Sequence, residues 1–211
     1  MKKIPIFSIV TPSYNQGRFI KKTIKSILEQ SGLFYIDYII QDGGSTDNSV
    51  ATIRKAFTKI RKNSETKLYK NLTFYKNKNI KNKGISFRWE SNHDGGQVNG
   101  IKKGLKKAKG DYFSWLNSDD TYYSSKTLDH VKDAFQTNPD IECIIGDGTL
   151  IDEKGKKTGK WEVEKVNNSE NIYLDYHILQ PSTFIQKDIV NSKYLDNKYT
   201  CAFDIYFFYH T

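Results

Sequence analysis

Two spacings of apolar residues alternate along the first 150 residues. Residues 6–10 form a short apolar run that reads as a buried strand, and Thr11-Pro-Ser-Tyr-Asn15 reads as the turn after it. Phe19, Ile20, Thr23, Ile24, Ile27 and Leu28 then recur near the helical period of 3.6, which predicts an amphipathic helix. Residues 38–41 predict a second strand, running into Asp42-Gly-Gly-Ser-Thr-Asp47. Asp47 or Ser45 is placed to cap a helix whose apolar face is Val50, Ile53, Ala56, Phe57 and Ile60. Residues 85–89 predict another strand, followed by Asn92-His-Asp-Gly-Gly-Gln97 and a helix bearing Val98, Ile101, Leu105 and Ala108. Residues 112–116 predict a strand ending in Asn117-Ser-Asp-Asp120. A helix marked by Leu128, Val131 and Phe135 and a strand at 141–145 complete the series. Strand–helix alternation of this kind predicts an α/β fold with a mostly parallel sheet.

Two stretches break the pattern. Residues 54–88 carry twelve Lys or Arg against one acid, Glu65, a net +11 within a chain of net +9. Periodicity fades there, so residues 61–83 are expected to be a loop-rich insertion. Its basic residues form either a solvated face or a patch for anionic lipid headgroups or an anionic acceptor. Residues 147–165 predict a β-hairpin turning at Asp152-Glu-Lys-Gly155, and 166–211 are expected to be irregular.

A chain of 211 residues with 37% hydrophobic and 14% aromatic residues can bury a core and is not a disordered segment. The basic balance points to anionic partners. No apolar run reaches the length of a membrane span, and polar residues interrupt the apolar start too early for a signal peptide. Cys143 and Cys201 have neither metal-ligand nor redox spacing. The expectation is a cytoplasmic protein, soluble or peripheral at the inner face of a membrane.

Four polar loops, 11–15, 42–47, 92–97 and 117–120, follow four predicted strands. In an open α/β sheet the crevice outside the carboxyl ends of the strands binds ligands, so Asp42, Asp94, Asp119 and Asp120 are expected at one edge. Each loop alone is an ordinary turn. Adjacent carboxylates such as Asp119 and Asp120 raise each other's cost of ionisation unless a cation is near, and hard Mg²⁺ or Mn²⁺ takes such oxygen ligands together with substrate phosphates. One of the pair could instead cap the helix near Ser125.

These motifs, in order, resemble glycosyltransferase family 2: residues 7–16, Asp42-Gly-Gly-Ser-Thr-Asp47, residues 94–104, and Trp115-Leu-Asn-Ser-Asp-Asp120. The likeness continues through Gly146-Asp-Gly148, Leu150-Ile-Asp152 and Gln180-Pro-Ser-Thr-Phe184. It implies a GT-A, Rossmann-like fold and transfer of a sugar from a nucleotide-diphosphate donor, typically UDP-linked, to a glycan or lipid-linked acceptor. By position it implies donor contacts at Thr11, Pro12, Tyr14, Asp42, Gly43, Asp94, Gly95, Gln97, Asn117 and Ser118. Asp42 and Asp94 would meet the base. Asp119 would hold Mn²⁺ or Mg²⁺, with His177 as a second candidate ligand. The resemblance divides the chain into a donor half, 1–121, and an acceptor half, 122–211, of one domain that ends earlier than its relatives.

Two departures matter. Asn117 stands where the family's metal-binding motif usually begins with Asp. In residues 199–208 the acid that serves inverting relatives as catalytic base falls on Ala202, while the next acid falls on Asp204. Either Asp204 acts as base, or the chain is a silent nucleotide-sugar-binding protein. If Asp204 lies on a strand it shares the face of residue 202; if on a helix it turns away. A sugar nucleotidyltransferase would need a Gly-rich triphosphate loop with Arg and Lys at the N-terminus, which is missing. A nucleic-acid module has only the interleaved lysines and aromatics of 67–89 in its favour, so no nucleic acid is expected. His93 reads first as incidental and second as a phosphate-bonding group, and His130 as solvated. The aromatics of 199–209, with Trp161, read first as packing and second as a platform for acceptor sugars.

Overall fold

The computed structural model describes residues 3–163, 178–199 and 202–210. An eight-stranded sheet has the order β3 (Glu65–Tyr69), β4 (Leu72–Lys76), β5 (Gly84–Ser91), β2 (Tyr35–Asp42), β1 (Ile6–Ser13), β6 (Tyr112–Trp115), β10 (Thr183–Gln186) and β7 (Cys143–Ile145). Its centre is four parallel strands: β5 (Gly84–Ser91), β2 (Tyr35–Asp42), β1 (Ile6–Ser13) and β6 (Tyr112–Trp115). Every residue of β1 and β2 is buried, as expected of parallel strands covered on both faces. Helices α1 (Ile20–Leu28), α2 (Ser49–Arg61) and α4 (Thr127–Thr137) share one core cluster with Phe7, Ile9, Ile36 and Tyr38. Helices α3 (Gln97–Lys107) and α5 (Phe203–His210) share another with Val10, Ile39, Phe113 and Trp115 on the other face. Alternate residues of β1 therefore feed opposite cores. Helix α3 approaches β1 closely because Gly104 has no side chain: a Cβ there would lie 2.4 Å from Val10 Cγ1.

The expectation of a loop-rich insertion is corrected. Helix α2 continues to Arg61, and β3 (Glu65–Tyr69) with β4 (Leu72–Lys76) forms an antiparallel hairpin that joins β5. Lys70 and Asn71, at φ +48° and +58°, make the two-residue turn between paired Tyr69 and Leu72. Positive φ at both centres is the type I′ geometry, more often carried by Asn-Gly. Leu72 and Phe74 alternate inward against Ile6 and Tyr35, while β3 is almost wholly exposed and so has no hydrophobic signature. Asp111 fastens the hairpin tip beneath the sheet, accepting from Lys70 Nζ at 2.9 Å, Lys3 Nζ at 2.8 Å and Ile6 N at 2.9 Å. Burial of this carboxylate works against ionisation, yet the two lysines and the Ile6 amide prevail and hold its pKa below the usual range.

The irregular C-terminal region is corrected in part. Strand β10 (Thr183–Gln186) enters the main sheet antiparallel between β6 and β7 (Cys143–Ile145), and α5 follows it. The expected hairpin forms from β8 (Gly148–Ile151) and β9 (Lys157–Trp161), apart from the main sheet. No helix among the described residues is long and apolar enough to cross a membrane.

Candidate active site

A cavity of about 660 Å³ opens at the carboxyl ends of the parallel strands. Pro12, Ser13, Tyr14 and Gln16 line it from β1 and its loop, Gly43 from the β2 loop, residues 93–97 from the β5 loop, and Asn117, Ser118 and Asp119 from the β6 loop. The four sequence loops do converge.

Within that wall the acids differ. Asp94 Oδ1 accepts from Gly96 N at 2.9 Å. A Cβ at Gly43 or at Gly100 would lie 3.0 Å from one or the other Asp94 oxygen, so those two glycines form the slot that holds this carboxylate. Asp42, 2% exposed, faces its own loop. It accepts from Ser45 Oγ and Ser91 Oγ at 2.6 Å, and from the amides of Ser45 and Gly44 at 2.9 and 3.2 Å. Its partners make Asp42 the residue that shapes the β2 loop, and only Gly43 of that pair lines the cavity. Thr11 is also turned away, fully buried and accepting from Tyr38 OH at 3.2 Å, because strand alternation sends its neighbour Pro12 to the cavity side. Asn15, at φ +51°, links the β1 and β2 loops: its amide donates to Ser45 Oγ and its side-chain oxygen accepts from Thr46 N. The expected cap is corrected by one position: Asn48 is the N-cap of α2 and its side chain makes no cap hydrogen bond, while Asp47, one residue ahead, accepts from Ser49 N through Oδ1.

Asp119 is exposed on the cavity wall and Asp120 lies half-buried beside it. Burial, and then the charge of Asp119, push the Asp120 carboxyl up to about 6, while a hydrogen bond from Asn117 pulls the other way. No group of three or more His, Cys, Asp or Glu among the described residues is arranged to hold a metal ion.

Three amides run from the cavity wall, at Gln97 and Asn117, inward to the buried Gln180. Gln180 Nε2 donates to the Trp115 carbonyl at 2.6 Å, Asn117 Nδ2 donates to Gln180 Oε1 at 3.0 Å, and Gln97 Nε2 donates to Asn117 Oδ1 at 2.8 Å. Helix α5 is anchored on Trp115 by its aromatics: Phe208 stacks on that ring at 5.0 Å, and Phe207 meets it edge-on at 5.4 Å. These rings are core, not a sugar platform, whereas Tyr199 is 42% exposed and stacks on Tyr206. Ala202 is exposed at φ +64°, and its carbonyl accepts from Tyr206 N. Asp204 stands in the first turn of α5, its Oδ1 bonded to Ile205 N, while Ala202 lies ahead of the helix, so neither the strand nor the helix expectation holds for the pair. His177 and Cys201 lie outside the described residues.

Sequence reasoning passed over Ser13, Gln16, Gly96 and Gln180, and took His93 as incidental although it lines the cavity. Gln180 stood in a recognised motif, but its partner Asn117 is 63 residues earlier, a pairing that only β10 brings about. Ser13 Oγ is buried with no hydrogen-bond partner among the described residues.

A family model described as Glycosyl transferase family 2 matches residues 8–195. An uncharacterized glycosyltransferase of Rickettsia typhi, RT0329, is 26% identical over 215 residues, covering 96% of this chain and 58% of that protein. Among solved structures, residues 1–349 of S. aureus TarS in complex with UDP-GlcNAc match with TM-score 0.59 at 19% identity, over 87% of this chain and 46% of that one. A mannosyltransferase, PcManGT of Pyrobaculum calidifontis, in complex with GDP-Man and Mn²⁺, matches with TM-score 0.57 at 12% identity, over 90% and 46%. At these identities the two structures speak for the fold, which is that of GT-A glycosyltransferases. The chain spans about a fifth of the length of other rickettsial glycosyltransferases that it resembles.

Proposed function

The chain belongs to glycosyl transferase family 2, and on that premise we propose that its cavity binds a nucleoside-diphosphate sugar, of the UDP class, for transfer to a hydroxyl of a glycan or lipid-linked acceptor. The observation that carries this reading is the convergence of Tyr14, Asp94, Gln97, Asn117 and Asp119 around one 660 Å³ space at the strand ends. That volume lies within the ordinary range for small-molecule sites. Residues 1–121 would hold the donor and 122–211 the acceptor. Asp94, slotted between two glycines, and Ser13 Oγ, buried and unpartnered among the described residues, are hydrogen-bonding groups suited to the base and ribose.

Among the described residues Asp119 and Asp120 offer hard oxygen donors with no third His, Cys, Asp or Glu beside them, a set that fits Mg²⁺ or Mn²⁺ completing its shell with diphosphate oxygens. Asp119 would hold such an ion, which when bound would offset the charge of the departing diphosphate. His177 is the other assigned ligand.

In an inverting transfer the acceptor hydroxyl oxygen bonds to the anomeric carbon as the bond from that carbon to the diphosphate oxygen breaks. The electron pair leaves with the diphosphate, and the hydroxyl proton passes to a carboxylate base. Ala202 has no such group, and Asp204 stands in the first turn of α5 with its Oδ1 bonded to Ile205 N. This favours a second reading of the same site, a nucleotide-sugar binder with weak transfer.

The docking of the basic segment on anionic lipid, at the cytoplasmic face of a membrane, belongs to this proposal. Ten of its twelve cations, all but Lys70 and Arg88, have no carboxylate partner among the described residues. Binding to phosphatidylserine vesicles that falls steeply with salt is expected, and no binding at low salt would leave a solvated face.

The donor reading is tested by melting curves with UDP and GDP, with and without Mn²⁺. UDP with Mn²⁺ should raise the melting temperature, and Asp119→Ala should remove the metal-dependent part. Unchanged curves with every nucleotide in the presence of metal would refute it.

A further inference from the structure

We propose that Gln180 is a positioning residue of this cavity, one that sets the direction of a one-way amide relay and so decides which atom Gln97 presents to a ligand. The inference rests on the donor reading above only for the identity of that ligand.

The polarity follows from the anchor. The Trp115 carbonyl can only accept, so Gln180 must turn its NH₂ group toward it, at 2.6 Å. That leaves Gln180 Oε1 facing residue 117, which must therefore donate. Asn117 does so through Nδ2 at 3.0 Å and turns its oxygen toward Gln97. Gln97 must donate in its turn, through Nε2 at 2.8 Å. Its Oε1 has no hydrogen-bond partner among the described residues, and Gln97 is on the cavity wall. The relay therefore leaves Gln97 Oε1 as an acceptor for a hydroxyl of a ribose or sugar, beside the second hydrogen of its NH₂ group.

The same polarity explains the amide at 117. An aspartate there could accept from Gln97, but would set its second oxygen against Gln180 Oε1. Turning the Gln180 amide over would only move the clash to the Trp115 carbonyl. Gln180 is 7% exposed, so water has little access to relieve either arrangement. Asn117 and Gln180 thus form a matched pair contributed by the β6 loop and by the short helical turn ahead of β10.

The experiment uses the whole chain in four forms: unaltered, Gln180→Ala, Asn117→Ala and the double variant. Side-chain amide signals are recorded by nitrogen–proton NMR, without ligand, and UDP is then titrated in the presence of Mn²⁺. Gln180→Ala should shift the NH₂ signals of both Asn117 and Gln97, although Gln97 does not touch residue 180. It should also weaken UDP binding about tenfold, with the double variant no weaker than Asn117→Ala. A Gln97 signal left in place, or additive losses in the double variant, would overturn the relay. So would unchanged affinity in Gln180→Ala when the unaltered chain binds UDP. Failure of every form to bind UDP would instead count against the donor reading, with the NMR shifts still deciding the relay. Gln180→Glu supplies a check that does not remove packing: its carboxyl oxygen still accepts from Asn117 Nδ2, so the Gln97 signal should stay near its place in the unaltered chain, and a Gln97 shift as large as that of Gln180→Ala would overturn the relay.

Discussion

Replacing Ala202 with Asp puts a carboxylate where the family resemblance implies the catalytic base, and the local backbone makes the change favourable in two ways. Ala202 sits at φ +64°, the left-handed region, where Asp and Asn are several-fold enriched over other non-glycine residues. A several-fold preference corresponds to about 0.8 kcal/mol. The residue also immediately precedes α5 and supplies the carbonyl for its first turn, bonded to Tyr206 N. A negative charge at a helix N-terminus adds about 0.3–1 kcal/mol. Asp204 is already in that first turn and repels the newcomer, which holds the expected gain to about 1 kcal/mol. For a chain of this size that is a rise in melting temperature of about 3 °C. Transfer should rise by roughly two or more orders of magnitude, the usual yield of a positioned base. Stability and activity would thus increase together, the reverse of the usual exchange between them at active sites. The assay is release of UDP from a panel of UDP-sugars with Mn²⁺ and a soluble acceptor, beside melting curves of the same samples. A variant that is less stable would refute the backbone argument. Robust turnover by the unaltered chain, abolished by Asp204→Asn, would refute the assignment of the base to position 202.

Asp120→Asn should stabilise the protein at neutral pH by about 1–3 kcal/mol and leave it unchanged near pH 4. The sign follows from a folded pKa raised to about 6: folding holds the proton more tightly than the unfolded chain, so stability falls as pH rises from about 4 to 6. Melting curves from pH 4 to 8 check this, and a variant that follows the unaltered chain at every pH would contradict it. Asp111→Ala should cost about 2–3 kcal/mol, because Ile6 N loses its acceptor and two lysines lose their partner, whereas Asp111→Asn should cost about 1 kcal/mol. Since the Asp111 pKa is held down on folding, its contribution is present above about pH 4 and fades as pH falls below that value. Urea unfolding of both variants at pH 7 and pH 3 tests the ranking, and equal losses at the two pH values would refute it.

The parallel centre of the fold was legible from local pattern alone. Buried parallel strands must be continuously apolar, and their covering helices must carry an apolar stripe, so β1, β2, α1 and α3 announce themselves within a few residues. Because the crevice lies where those strands end, the loops at 11–15, 42–47, 92–97 and 117–120 could be brought together on paper before any coordinate. Local pattern is silent where a segment depends on distant partners. Strand β3 is exposed along its length and is held by pairing with β4, and β10 has four residues whose place between β6 and β7 depends on hydrogen bonds to both. Side-chain direction was undecided for the same reason. Motif position assigned Asp42 and Thr11 to the donor, but two serines and two amides turn one into its loop, and strand alternation turns the other toward Tyr38. The polarity of the amide relay lay furthest from view, since it is set by the Trp115 carbonyl through Gln180, joined across 65 residues of chain by the tertiary fold. Apolar periodicity is a property of neighbours in sequence, whereas the direction of a hydrogen bond is a property of whatever the fold places opposite it.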